Sequence, residues 1–193
     1  MKKRLFLTGA PGIGKSELIR AALGGALAES GGYFTRRVFD GGRQISSLLM
    51  PAAAAAGIEG FECPEFLDLR SDVARKDNEV FRIYASRLLR EAEYYPFCVL
   101  DEIGGFELVI PQYREALAGF LSSNIPCVGA LCTLEAFEAQ RALLGLGEHS
   151  LRSAERLHTV LENDPQTVLF ETTGRGDGRA EELLRHWVRE YVG

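Results

Sequence analysis

An α/β fold is expected for this chain: three layers, with a mostly parallel sheet, helices on both faces and a β-hairpin after the first helix. Short apolar runs alternate with helix-period stretches along the 193 residues, the pattern of a parallel sheet covered on both sides. The glycine-rich octapeptide from Gly9 to Ser16 joins the first such run to the first helical stretch. Between residues 33 and 50, two β-prone runs flank Asp40-Gly41-Gly42-Arg43, a hairpin signal. One domain, 1–193, is the default at this length. Apolar content of 46% with 25% charged residues is ordinary globular composition, enough for a core.

Residues 5–8 form the first expected strand. From Lys15 onward, Leu18, Ile19, Ala22, Leu23, Ala26 and Leu27 recur at helical spacing and give one buried stripe. Gly24-Gly25 weaken that helix by about 2 kcal/mol relative to alanine, so close packing or an early end is expected there. The hairpin pairs 33–38 with 45–50. Segment 51–65 holds five consecutive alanines bounded by Pro51 and Gly57, too short a run to stand as a helix, and reads as loop or one short turn. A helix over about 78–93 places Phe81, Tyr84, Ala85, Leu88 and Ala92 on one face. A strand at 97–100 follows, then a helix at 112–122, a strand at 126–131 and a helix at 134–144. Residues 145–153 read as a polar, glycine-containing connection. A last strand at 167–170 leads into a helix at 179–192, whose apolar face carries Ala180, Leu183, Leu184, Trp187, Val188 and Tyr191.

The octapeptide spells G-x-x-x-x-G-K-[ST] directly after an apolar run and before a helix. Glycines let backbone N–H groups turn inward around phosphate oxygens, and the helix adds its N-terminal partial charge and unpaired donors. The expected binding set therefore runs through Gly9, Ala10, Pro11, Gly12, Ile13, Gly14, Lys15, Ser16 and Glu17. Lys15 reaches the β- and γ-phosphates and takes a catalytic role, while the Ser16 hydroxyl holds Mg²⁺. A nucleoside triphosphate is the expected ligand, ATP or GTP foremost.

The second chemical signal is Phe97-Cys98-Val99-Leu100 running into Asp101-Glu102. In a parallel sheet such a strand is buried on both faces, and ligands bind at its carboxyl end. Asp101 then faces the magnesium that Ser16 approaches, mostly through water. Glu102 sits beside the γ-phosphate, placed to orient or deprotonate an attacking water.

Other classes are disfavoured. The net charge is −5 and the basic clusters are only pairs such as Arg36-Arg37, whereas a nucleic-acid surface needs a basic stripe. No apolar run approaches the ~20 residues of a membrane span. Met1-Lys2-Lys3-Arg4 is a basic start, but a cleaved signal peptide would delete the motif's own strand. Cys63, Cys98, Cys127 and Cys132 form no C-x-x-C pair and read as reduced thiols of a cytoplasmic protein. His149, His158 and His186 share no metal-ligand spacing.

With these motifs located, the chain resembles the small P-loop nucleoside-triphosphatase family whose animal member is called cancer-related nucleoside-triphosphatase. The resemblance implies a RecA-like P-loop fold and slow, Mg²⁺-dependent hydrolysis of several nucleoside triphosphates. The family's F-L-T-G-x-P-G-x-G-K is matched by Phe6 to Lys15. Its G-F-x-T-x-E-V-R-x-x-G-x-R-x-G-F is matched at Thr35, Val38, Gly42 and Arg43, but Arg37 replaces the glutamate and Phe39 the arginine. Its D-E-I-G-K-M-E-L appears from Asp101 to Leu108 with Gly105 in place of lysine. Its T-x-x-N-R-D survives only as a threonine and an acid within Thr173–Asp177. Two cations are thus missing near the active face, and one such cation contributes about 10³–10⁵ in phosphoryl-transfer rate. Arg36, Arg37, Arg43 and Arg175 are candidate replacements, with Arg43 taken as the catalytic one.

Phosphoryl transfer to water, with broad base tolerance, is the expected chemistry. A kinase acting on a nucleoside or other small acceptor is the alternative, the hairpin and segment 51–65 then forming an acceptor site or lid. A nucleotide-controlled switch with little turnover is a further alternative. The sequence identifies no protein partner.

Overall fold

Leu5, Phe6 and Leu7 are fully buried and form the centre of β1 (Arg4–Thr8) in a computed structural model that describes residues 2–193. The loop after β1 leads into α1 (Lys15–Leu23), which ends at Gly24 and tightens into a 3₁₀ stretch, Gly24–Glu29. The early end expected from the glycine pair is present. The hairpin follows as β2 (Gly31–Asp40) and β3 (Arg43–Pro51), antiparallel and turning at Asp40↔Arg43. The five alanines make one 3₁₀ turn, Ala52–Ala56.

Two short strands absent from the sequence expectations come next, β4 (Glu65–Asp68) and β5 (Arg75–Lys76). They pair antiparallel with β3 and with each other. The helix expected over 78–93 is continuous but uneven: a π-helical stretch Val80–Ala85, then α2 (Ser86–Arg90), then a 3₁₀ turn Glu91–Tyr94. The buried Ser86 hydroxyl donates to the carbonyl of Phe81 at 2.8 Å, five residues back, which gives the widened turn a side-chain donor.

The second half alternates as expected: β6 (Cys98–Ile103), α3 (Pro111–Leu121), β7 (Cys127–Leu131) and α4 (Leu134–Leu144). Residues 149–153, read as connection, instead open a fifteen-residue helix, α5 (His149–Asn163). Its buried face is Ser150, Ala154, Leu157 and Leu161 among many charged residues, a narrow stripe at helical spacing. β8 (Thr167–Glu171) and α6 (Gly178–Tyr191) complete the chain.

The described strands make one sheet in the order β5-β4-β3-β2-β6-β7-β1-β8. β2, β6, β7, β1 and β8 run parallel, and the antiparallel β3, β4 and β5 extend one side. Side chains alternate between faces. Leu5 and Leu7 belong to one core with Ile19 of α1 and Leu184 and Trp187 of α6, whereas Phe6 belongs to another with Leu89, Tyr113, Phe137 and Leu161 from α2, α3, α4 and α5. Trp187, the sole tryptophan, donates its indole N–H to the carbonyl of Lys3 at 3.0 Å, tying α6 to the start of β1. Only β7 lies between β1 and β6, so the loop after β1 and the acids ending β6 emerge on the same sheet edge, where ligands of open parallel sheets bind. Among the described residues no helix is long and apolar enough to cross a membrane, and all four cysteines are free.

Candidate active site

The loop between β1 and α1 needs glycine at two points for different neighbours. Gly9 has φ 131° and a Cβ there would lie 2.6 Å from the carbonyl oxygen of Thr172; Gly14 has φ 104° and would meet the Arg175 side chain at 2.7 Å. Both conformations disfavour L side chains. The β8–α6 connection thus backs the loop directly, and the Arg175 N–H donates to the carbonyl of Ile13 at 3.1 Å. Asp177 organises that connection. Its carboxylate accepts from the N–H and hydroxyl of Thr173, the hydroxyl of Thr172 and the N–H groups of Arg179 and Ala180. The backbone donors, Thr173 foremost, hold its carboxyl down to about 2.

Lys15 is nearly buried, and its ammonium donates to the carbonyls of Gly9 and Ala10 at 2.9 and 3.0 Å. The Ser16 hydroxyl donates to Oδ1 of Asp101 at 2.8 Å. These two residues, expected to share a metal, therefore touch. Oδ2 of Asp101 is buried without a hydrogen-bond partner. Burial, seconded by the Glu102 charge, raises the Asp101 carboxyl to about 7, against the Ser16 hydrogen bond, the Arg20 charge and a weak backbone hydrogen bond from Thr35. A hydroxyl beside a carboxylate whose second oxygen is unsatisfied is a hard-oxygen donor set that fits Mg²⁺. Among the described residues no group of three or more His, Cys, Asp or Glu could hold a metal ion.

A cavity of about 330 Å³ lies between the loop and the hairpin. Gly12, Gly14, Lys15, Ser16, Glu17, Asp101 and Glu102 line one side, and Arg36, Arg37 and Phe39 the other. Of the expected binding set, Gly9 and Ala10 contribute carbonyls to Lys15, and Ile13 accepts from Arg175. Pro11 lines an adjoining cavity. Glu17 pairs at the surface with Arg175 at 3.3 Å. Arg37, standing where the family pattern has glutamate, pairs with Glu102 at 3.3 Å. Arg43 lines neither cavity; its guanidinium donates to the carbonyl of Leu69 at 3.3 Å, so β3 carries it away from the acids. Sequence reasoning missed Arg20, which lines the cavity and stacks on Phe34 at 4.6 Å. One signal for it exists, its place one turn after Ser16 on α1.

The comparisons with known proteins agree with this geometry. A family model described as NTPase matches residues 4–149. The human cancer-related nucleoside-triphosphatase is 32% identical over 136 residues, covering 64% of this chain and 71% of that protein. The solution structure of a human cancer-related nucleoside triphosphatase superposes with a TM-score of 0.63 at 21% identity, covering 96% of this chain and 95% of the other. The crystal structure of THEP1 from Aquifex aeolicus gives 0.62 at 18%, covering 93% and 96%. These structural likenesses show a shared α/β fold. Since the matched stretch includes β1, the glycine-rich loop and both acids of β6, the chain belongs to the nucleoside-triphosphatase (NTPase) family.

Proposed function

We propose that the chain hydrolyses nucleoside 5′-triphosphates to diphosphate and phosphate, with Mg²⁺ and with little selectivity for the base. The observation that carries the reading is the Ser16–Asp101 contact of 2.8 Å, with the second Asp101 oxygen buried and unsatisfied beside the phosphate loop. Backbone amides from Gly12 to Ser16 and the Lys15 ammonium hold the triphosphate. The lysine exchanges its loop carbonyls for phosphate oxygens as it does so. Ser16 and Asp101 are the residues that would hold Mg²⁺, which when bound neutralises charge on the outer phosphates. Glu102 orients water in line with the departing diphosphate. Arg37, already paired with Glu102, is a cation of the same cavity placed to stabilise charge on that path. Catalysis here is positioning and charge stabilisation without a covalent intermediate. Broad base tolerance follows from a grip made by backbone amides on phosphates, which carries no information about the base.

The test is phosphate release from ATP, GTP, CTP and UTP with Mg²⁺ or with excess chelator. Release from several triphosphates, abolished by chelator, is expected. Lys15→Ala should abolish nucleotide binding, whereas Glu102→Gln should keep it and lose most turnover, about 10²-fold or more. Normal hydrolysis by Glu102→Gln removes the role given to that carboxylate.

A further inference from the structure

A second cavity, of about 310 Å³, adjoins the first. The two share Thr35, Arg37 and Glu102 as a common wall, so the Arg37–Glu102 pair stands between them. This volume lies at the small end of ligand sites. Its floor is aromatic: Phe66, Phe81 and Phe106 are buried and meet at centroid distances of 5.1 to 5.9 Å. Glu107 and Gln140 form one polar stretch of its wall, and Gln44 and Ser47 of β3 form another.

Glu107 is 3% exposed, and Oε1 accepts the N–H groups of Gly104 and Gly105, both at 2.8 Å. Oε2 lies 2.7 Å from where a Cβ on Gly105 would stand, and Oε1 of Gln140 lies 3.0 Å from the same point. Glycine at 105, where the family pattern has lysine, leaves room for both side chains. Oε1 of Gln140 accepts the N–H of Phe106 at 2.9 Å, which fixes the amide's orientation. Its Nε2 donor has no partner among the described residues. An acceptor and a free donor side by side above an aromatic floor complement the edge and face of a nucleobase, which enzymes read by edge hydrogen bonds and stacking. Burial raises the Glu107 carboxyl to about 7, so near neutral pH it presents either an acceptor or a donor to such an edge.

We propose that this cavity seats a nucleoside-sized heteroaromatic alcohol, base on the phenylalanine floor and hydroxyl toward Glu102, as an acceptor competing with water for the terminal phosphoryl group. The proposal rests on the nucleotide reading of the phosphate loop. The acceptor oxygen bonds to the γ-phosphorus as the bond from that phosphorus to the β–γ bridging oxygen breaks. The bridging oxygen leaves with its electron pair on the diphosphate, and the hydroxyl proton passes to Glu102. The products are a nucleoside diphosphate and the phosphorylated acceptor. Hydrolysis is the outcome when the cavity lacks its acceptor.

Two measurements test this. In the first, Lys15→Ala protein, with its fold checked by circular dichroism, is titrated by ligand-observed NMR with phosphate-free adenosine, cytidine, guanosine and uridine. The titration is repeated with Ala139→Trp or Leu143→Trp added. Both positions are exposed residues of α4 that line this cavity and not the one beside the phosphate loop, so either indole fills the proposed acceptor site from the α4 side. At least one nucleoside should bind Lys15→Ala protein, and each tryptophan should weaken that binding about tenfold or more. No binding at millimolar concentration, or binding indifferent to both tryptophans, overturns the site. In the second, the unmodified chain is incubated with ATP, Mg²⁺ and the bound nucleoside. Nucleoside monophosphate should form at the expense of inorganic phosphate. With Ala139→Trp the monophosphate should vanish while phosphate release continues. Bound nucleoside with inorganic phosphate as the only product overturns the acceptor role. Neither product from any triphosphate, with nucleoside binding intact, overturns the hydrolase reading and the acceptor role together.

Discussion

A buried carboxylate is costly unless its charge and both its oxygens are compensated, and at Asp101 one oxygen has the Ser16 hydroxyl while the other, with only weak help from the Thr35 backbone and the Arg20 charge, lacks a well-formed hydrogen bond. That imbalance is useful only to a ligand that brings positive charge. Around it, turnover should fall further for Arg37→Ala than for Arg43→Ala, since Arg37 touches Glu102 and Arg43 binds the carbonyl of Leu69; steady-state phosphate release of the two variants measures this. Glu107 makes a pH prediction. Burial lifts its carboxyl from an ordinary 4.5 to about 7, against three backbone N–H groups, with Glu102 adding to the rise. The Tyr33 and Tyr113 phenols and the Cys132 thiol also face it, all held above their usual ranges by burial. A raised carboxyl makes the folded state bind the extra proton, so this contribution to stability declines as pH climbs from about 4.5 through 7. Glu107→Gln keeps an acceptor for Gly104 and Gly105 and removes the decline. Above pH 7 it should unfold at higher urea than the parent, by an amount on the order of 3 kcal/mol. The phosphate loop was legible because its residues are contiguous and their chemistry local. Glu107 was not, because Gln140 beside it arrives from a distant helix, and Arg37 was legible only as one of four candidate cations, its partner Glu102 being supplied by another strand.

The β8–α6 connection shows how one cap serves a neighbouring loop. Asp177 ends the connection and begins α6, and the same connection carries Thr172 and Arg175 against Gly9 and Gly14. Asp177→Ala should therefore lower the thermal midpoint and weaken triphosphate binding together, read by scanning calorimetry and nucleotide titration. Because its carboxyl is depressed, its contribution is present above the usual carboxylate range and is lost as pH falls toward about 2. Elements with dense apolar spacing, such as α1, β6 and α6, were readable from sequence. The start of α5 was not, since its first turn follows a glycine-containing polar stretch and buries only Ser150 before Ala154. β4 and β5 are four and two residues long. Pairing of β4 with β3, and of β5 with β4, creates them, and local composition does not announce it.

The sheet has a packed core on each face, and the two meet only through the strands. Leu161→Ala on the α5 side and Leu184→Ala on the α6 side should each cost about 2–5 kcal/mol. Both should move one shared urea transition and not split it, the result expected if residues 1–193 unfold as one domain. The indole of Trp187, fully buried against Phe97 and Tyr191 and anchored to Lys3, also makes the chain its own optical gauge. Excited at the red edge, the chain emits from a single fluorophore, blue-shifted while β1 and α6 stay joined and drifting toward longer wavelength when they part. Because that fluorophore sits away from both cavities, ligands can be titrated without quenching it directly, and any spectral drift they cause reports on the integrity of the scaffold.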